Sequence, residues 1–132
     1  MDRLILTEEK YGNIALAPSL NKLLRMHWGA KLKLKNTLCL LIRNLMSLQS
    51  IKKADTGQKF RLGIISYRKR LLDKDNLYGA HKVLIDALCD EGFIWDDDPG
   101  RLVLTVTQRV ANKSSGEKVR TQIIRNPVDR II

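Results

Sequence analysis

Hydrophobic residues recur along the chain with two periods, which predict helices and strands in different stretches. Between residues 30 and 50 leucines recur at three- and four-residue spacing, the spacing of one helix face. This apolar stripe consists of Leu34, Leu38, Leu41, Leu45 and Leu48. Because Lys35, Arg43 and Ser47 lie elsewhere around the wheel, the pattern predicts a long amphipathic helix with basic residues on its solvent side.

A second helical pattern follows Asn76, a residue type that caps helix N-termini. Its apolar positions at helical spacing are Leu77, Ala80, Leu84, Ala87 and Leu88. Gly92 then offers a C-cap, so one continuous helix over residues 77–91 is predicted.

Alternating or β-rich segments predict strands at residues 61–69, 101–110 and 119–125. The loop ANKSSGEK between the last two predicts an antiparallel arrangement. Residues 3–8 and 13–18 are further short strand candidates, and the turn sequence EKYGN between them predicts a hairpin.

These elements predict one α+β domain over residues 1–132, with a mixed or antiparallel sheet of about four to five strands and two main helices. A length of 132 residues suits one domain with a real core. Cys39 and Cys89 lie in apolar helical patterns and are expected to be buried thiols in a reducing compartment. The longest apolar run, TLCLLI, is too short to span a bilayer, and the N-terminus lacks a signal-peptide core. A soluble cytoplasmic protein is therefore expected.

Charge is strongly polarised along the chain, whose net charge is +10. Residues 22–70 contain thirteen Lys and Arg and one acid, whereas residues 73–98 contain eight acids and two bases. A chain this basic favours a polyanionic partner, with nucleic acid first. A membrane surface would prefer a single basic amphipathic helix without an adjacent acidic block, and a merely solvated surface is the remaining alternative.

The acidic block contains two groups of carboxylates. Asp73 and Asp75 follow a predicted strand at spacing two, so extended backbone would project both from one face. Such a pair repels unless a cation lies between, and Mg²⁺ needs only one or two carboxylates plus water. The alternative is a turn with an Asn cap, and DDDPG at residues 96–100 is likewise a good turn sequence. Spacing alone does not decide whether the two groups meet.

The stretch LDKDNLYGAHKVLIDALCDEGFIWDDD resembles the core signature of RusA-family Holliday-junction resolvases: Asp-x-Asp-Asn, a helix with Lys and Asp-Ala-Leu, then Gly and an Asp pair. The resemblance covers about residues 70–98, and Pro18-Ser19-x-Asn21 resembles a second family element. It implies a homodimeric, Mg²⁺-dependent endonuclease that cuts four-way DNA junctions, in the cytoplasm of a prokaryotic or phage-infected cell. By position, Asp73, Asp75 and Asp97 would be metal ligands and catalytic, Lys82 the functional lysine, and Asp86 mainly structural.

One interval departs from the family pattern, because YGA lengthens the stretch between Asn76 and Lys82 by nearly one turn. A helix that begins later than Leu77 would absorb the difference; otherwise Lys82 is displaced. An i,i+4 pair with Asp86 is the structural alternative for this lysine. Asp96 and Asp98 flank Asp97, so each is an alternative third ligand.

Six basic residues are expected to contact DNA phosphates without reading sequence. They are Lys31, Lys33, Lys35, Arg68, Lys69 and Arg70. For the three lysines a solvated helix face is an equal alternative. For the whole chain the alternative function is a non-catalytic basic nucleic-acid-binding protein, in which the acids only form turns and caps.

Overall fold

The computed structural model describes residues 1–8, 18 and 20–129, and these residues form one α+β unit. The predicted strand at residues 13–18 falls, apart from Pro18, outside the described residues. The elements in chain order are β1 (Asp2–Thr7), α1 (Leu20–Arg25), α2 (Trp28–Leu48), β2 (Lys59–Arg68), α3 (Lys74–Ala80), α4 (Lys82–Asp90), β3 (Leu102–Val110) and β4 (Arg120–Val128), with a 3₁₀ turn at Lys113–Ser115. In the described part of the chain, no helix is long and apolar enough to cross a membrane.

The four strands form one mixed sheet in the order β1-β4-β2-β3, which confirms the predicted α+β class. β2 and β3 are parallel neighbours, and β4 is antiparallel to both β1 and β2. The loop between β3 and β4 predicted their opposite directions, but the two strands are not adjacent. Since the helical connection α3–α4 returns the chain to one edge of β2 as parallel β3, the other edge of β2 is left for β4.

β4 continues three residues beyond the predicted end, through Pro127 to Val128. The last pair between β1 and β4 joins Asp2 to Arg125, whereas Pro127 pairs only with Phe60 of β2. One side of β4 therefore has no strand partner at Pro127, and there a proline, which lacks an N–H, costs no ladder hydrogen bond.

One face of the sheet packs against the helices. Phe60, Leu62 and Ile64 of β2 are buried, whereas the alternating Arg61 and Ile65 are exposed or half-exposed. The core gathers these side chains with the buried faces of α2 and α4, and with Leu4, Leu6 and Ile123 of the neighbouring strands.

Helix α2 confirms the prediction of a long amphipathic helix, but its buried stripe differs from the predicted one. The buried residues keep a four-residue spacing throughout: Leu34, Leu38, Ile42 and Met46. Leu41 and Leu45 are only partly buried, and Leu48 is 81% exposed. Residues at four-residue spacing stay on the helix face that meets the sheet and α4. The predicted positions change to three-residue spacing after Leu38, and from Leu41 onward they lie off that face.

The prediction of one helix over residues 77–91 with an Asn76 cap is wrong, because α3 and α4 are separate helices. Asp73 is the N-cap of α3, and its carbonyl accepts a hydrogen bond from the Leu77 N–H at 2.8 Å. The break lies at His81, which is fully buried. Its ring Nδ1 donates to the Leu77 carbonyl at 2.7 Å, while its backbone N–H donates to Tyr78 at 3.1 Å. The imidazole thus takes the acceptor that a continuous helix would offer to the backbone N–H.

Arg125 is a buried cation that joins three distant parts of the chain. Its Nε donates to the Asp2 carboxylate at 2.9 Å and its Nη1 to the Phe93 carbonyl at 2.7 Å. Nη2 donates to the Lys52 carbonyl, and the guanidinium lies 4.7 Å from the Phe93 ring centroid. Arg125 therefore ties β1, the segment after α2 and the segment after α4 to β4.

The two cysteines are free thiols that pack against the core but are only partly buried, less than expected. Burial raises the pKa of the Cys89 thiol to about 11, and nearby carboxylates, Asp97 first, act in the same direction. Cys89 is therefore protonated and weakly nucleophilic at neutral pH.

Candidate active site

Lys82 brings together two carboxylates that lie far apart in sequence. Its Nζ is 3.1 Å from Oδ2 of Asp97 and 3.2 Å from Oδ1 of Asp86. Lys82 is the first residue of α4, and Asp86 follows one helical turn later. The sequence left two interpretations of Lys82 open: an i,i+4 ion pair with Asp86, or membership of one site with Asp97. The structure contains both contacts.

The three consecutive aspartates after α4 have different roles in the local structure. Asp96 accepts the Asp97 backbone N–H through Oδ1 at 2.7 Å. The Asp98 carbonyl accepts the Arg101 and Leu102 N–H groups at 2.8 and 2.9 Å, which forms the turn into β3. Asp97 alone of the three has its carboxylate on Lys82, which favours Asp97 over its neighbours as the candidate third ligand.

The pair between Lys82 and Asp97 shifts both pKa values. The hydrogen bond from Lys82 lowers the pKa of the Asp97 carboxyl below its ordinary value, and burial opposes that shift. Hydrogen bonds to Asp97 and then Asp86 raise the pKa of Lys82. The side chain of Lys82 is 62% exposed and that of Asp97 40%. The ion pair therefore contributes little to stability and mainly fixes the positions of the two charged groups.

Asp73 and Asp75 are exposed at the start of α3, just beyond the C-terminal end of β2. Asp73 has extended backbone and is the N-cap, whereas Asp75 lies in the first helical turn. The expectation that both side chains leave one face of an extended segment is therefore wrong, because the helix begins between them.

The donor chemistry at this end of the sheet suits Mg²⁺, but the three carboxylates do not form one ligand group. Asp73 and Asp75 present exposed oxygen donors, the atoms that Mg²⁺ prefers. Over residues 1–8, 18 and 20–129, no group of three or more His, Cys, Asp or Glu side chains lies close enough to hold a metal ion. Asp97 instead has a carboxylate oxygen on the Lys82 ammonium.

The long interval from Asn76 to Lys82 is not explained by a later helix start, one of the two alternatives that the sequence left open. Helix α3 starts earlier, at Lys74, and the chain starts a new helix at Lys82. The residues YGA end α3, and the break at His81 separates them from Lys82. Lys82 and Asp86 consequently share one short helix, and their relative position does not depend on the length of α3.

The basic residues predicted to contact DNA fall into two places. Arg68, Lys69 and Arg70 line a cleft of about 420 Å³ at the C-terminal end of β2. Lys22, Tyr67 and Arg120 line the same cleft, together with the carboxylate-bearing Glu8. Tyr67 and Arg120 were missed from sequence, because only the β2–β4 register, which pairs them, brings them together.

The three lysines of α2 are not among the described residues that line this cleft. Lys33 is exposed and Lys31 partly so. Lys35 is 2.8 Å from the Asp90 carboxylate, a contact that joins α2 to α4 and raises the lysine pKa. Lys35 thus has a structural partner in Asp90. Of the six basic residues predicted to contact DNA phosphates, it has the least support.

Replacement of Lys82 by methionine is expected to raise the pKa of Asp97 towards the ordinary aspartate value, because the variant removes the main group that lowers it. Carboxyl ¹³C chemical shifts of Asp97, followed through acid pH, measure the change. Lys35→Met is the matched control, since it removes a lysine paired with Asp90. An unchanged Asp97 titration in Lys82→Met would contradict the contact.

In comparisons with known proteins, no family model and no curated protein matches this chain. The resemblance to the resolvase family therefore rests on the motif residues themselves.

Proposed function

We propose that this chain is a Mg²⁺-dependent endodeoxyribonuclease that cuts four-way DNA junctions by paired phosphodiester hydrolysis, in recombination and repair. It would act as a homodimer, since two symmetric cuts need two active sites. The substrate class and the cofactor come from the resemblance of residues 70–98 to RusA-family resolvases, and the polarised charge supports DNA as partner.

The observation that carries the proposal is the contact between Lys82 and Asp97. The resemblance implies that these residues belong to one site although fifteen positions separate them. A shared site requires the two side chains to lie close together, as they do at 3.1 Å. The structural alternative, an ion pair of Lys82 with Asp86 alone, does not require any contact with Asp97.

In the proposed reaction Asp73 and Asp75 would hold the ion; the resemblance implies Asp97 as the third carboxylate, although in this structure its carboxylate pairs with Lys82 and the three do not form one group. When bound, Mg²⁺ supplies an activated water and charge neutralisation at the leaving oxygen. Lys82 would donate a hydrogen bond to the scissile phosphate and stabilise the charge that develops there. Arg68, Lys69 and Arg70 precede Asp73 by three to five residues, so a DNA strand bound by these basic side chains would run past the acidic group.

The test is cleavage of a mobile four-way junction compared with linear duplex of the same sequence. With Mg²⁺ we expect paired cuts in the junction and none in the duplex; with EDTA we expect neither. Sedimentation of the junction complex in EDTA is expected to show two protein chains per junction. Absence of junction cleavage with Mg²⁺ would overturn the catalytic assignment, and one chain per junction would overturn the dimer.

The second candidate is a non-catalytic nucleic-acid-binding protein. The observation that favours it is that Asp73, Asp75 and Asp97 do not form one metal-holding group among the described residues. It predicts junction binding that is independent of Mg²⁺ and no strand cleavage under any condition of the same assay.

A further inference from the structure

The cleft at the C-terminal end of β2 is concave and cationic. Five of the described side chains that line it are basic and one is acidic, which gives a net charge of +4. The basic residues are Lys22, Arg68, Lys69, Arg70 and Arg120, and the acidic residue is Glu8. A volume of about 420 Å³ is in the range of small-ligand pockets. That volume suits one nucleotide and is too small to admit a duplex.

Arg68 provides a partly buried charge in this cleft. Its Nη1 donates to the hydroxyl of Ser66, itself buried, at 3.3 Å. Burial lowers the pKa of Arg68, and the nearby Glu8 carboxylate opposes that effect. A guanidinium remains charged throughout the physiological range, so its desolvation favours an anionic partner with which it can form charge-assisted hydrogen bonds.

The cleft also contains a flat, stacked pair. The guanidinium carbon of Arg120 lies 3.7 Å from the Tyr67 ring centroid, and the two residues are paired neighbours on β4 and β2. Aromatic rings and arginine planes are the surfaces on which unpaired bases stack. Phosphate-binding and base-stacking groups therefore line the same small cleft.

We propose that this cleft binds one unpaired nucleotide of a DNA strand, with its phosphate on Arg68, Lys69 and Arg70 and its base on the Tyr67–Arg120 pair. The identity of the ligand as DNA rests on the proposed nuclease function. Since only Leu71 and Leu72 separate Arg70 from Asp73, the bound nucleotide would anchor a junction strand beside the acidic group and favour branched over fully paired DNA.

The test is titration of the whole chain with thymidine 5′-monophosphate and, separately, inorganic phosphate, followed by amide NMR in EDTA. The mononucleotide is expected to bind at least about fivefold more tightly than phosphate, because a base adds stacking. Arg68→Gln is expected to weaken both ligands at least about tenfold. Tyr67→Leu and, independently, Arg120→Gln should weaken the mononucleotide at least about fivefold, with Tyr67→Leu leaving phosphate unchanged.

Arg61→Gln is the matched control for charge. Arg61 is exposed on the same strand, seven residues and roughly 23 Å from Arg68. At physiological salt that separation exceeds the screening length of about 8 Å, so this variant should change both affinities less than about twofold.

If phosphate and the mononucleotide bound equally well and Tyr67→Leu had no effect, the cleft would be an anion site without base stacking. That result would overturn the proposed nucleotide site. No binding of either ligand would overturn it entirely. The titration uses neither Mg²⁺ nor junction, so its failure is distinct from a failure of cleavage.

Discussion

The Asp75→Asn variant is expected to bind a four-way junction at least as tightly as the wild type but to cleave it at least about 100-fold more slowly, a loss of about 2.7 kcal/mol of transition-state stabilisation. The substitution removes the charge of a proposed metal ligand with little change in shape. Asp75 is exposed in the first turn of α3, so the variant should fold normally. Removal of a negative charge near bound DNA does not weaken phosphate contacts.

Cleavage rates should be measured at saturating Mg²⁺ and binding in EDTA. Asp55→Asn is the matched control, since Asp55 is 69% exposed and pairs only weakly with Lys52 at 3.5 Å in the loop before β2. It makes the same change of charge and should leave both quantities unaltered. Undiminished cleavage by Asp75→Asn would remove Asp75 from the proposed metal site.

Arg125→Met is expected to destabilise the fold by about 2–4 kcal/mol, because it leaves the carbonyl acceptors of a buried arginine without a donor, at a cost of about 1–3 kcal/mol for each buried group. Methionine keeps an extended side chain in the core but donates no hydrogen bond. Asp2 would lose its cationic partner, and the carbonyls of Phe93 and Lys52 would lose their donors. Unfolding in urea, followed by tryptophan fluorescence, gives the free energy of unfolding.

Arg61→Met is the control for Arg125→Met, because it removes an exposed arginine from the neighbouring strand and should stay within about 0.5 kcal/mol of wild type. Arg125→Lys tests the geometry separately. It keeps the charge, but one ammonium does not reproduce the planar fork that reaches three acceptors, so it too should be clearly destabilised. If Arg125→Lys matched the wild type, charge alone would account for the effect.

The elements that sequence predicted well are those fixed by local periodicity. The long helix expected at residues 30–50 is α2 at Trp28–Leu48, and strands expected at 61–69 and 101–110 are β2 and β3 within two residues. What local pattern does not contain is strand pairing. The β3–β4 loop indicated direction but not adjacency, which depends on where the helical connection places β3.

The break at His81 and the role of Arg125 share one reason for being missed. Each depends on a side chain that bonds to backbone carbonyls, His81 to Leu77 and Arg125 to Phe93. Hydrophobic periodicity carries no information about such bonds, and residues 77–91 keep their helical apolar spacing across the break.

The roles of the candidate site residues stay a prediction. Lys82 contacts both Asp97, which the resemblance places with it, and Asp86, the i,i+4 partner of the structural alternative, and the turn contacts of Asp96 and Asp98 distinguish Asp97 from its neighbours. Asp73 and Asp75 do not share one extended face, because α3 begins between them. Spacing in sequence did not determine the helix start, and so did not determine the direction of either carboxylate.

The position of β4 inside the sheet has a consequence for how the chain folds as it is synthesised. β4 lies between β1 and β2, yet among the four strands of the described sheet it is made last. Until it emerges, β1 lacks its hydrogen-bonded neighbour, β2 has one open edge, and the acceptors of Arg125 have no donor. The nascent domain is thus expected to remain open and prone to association until its final strand inserts, and to close in one late, cooperative step.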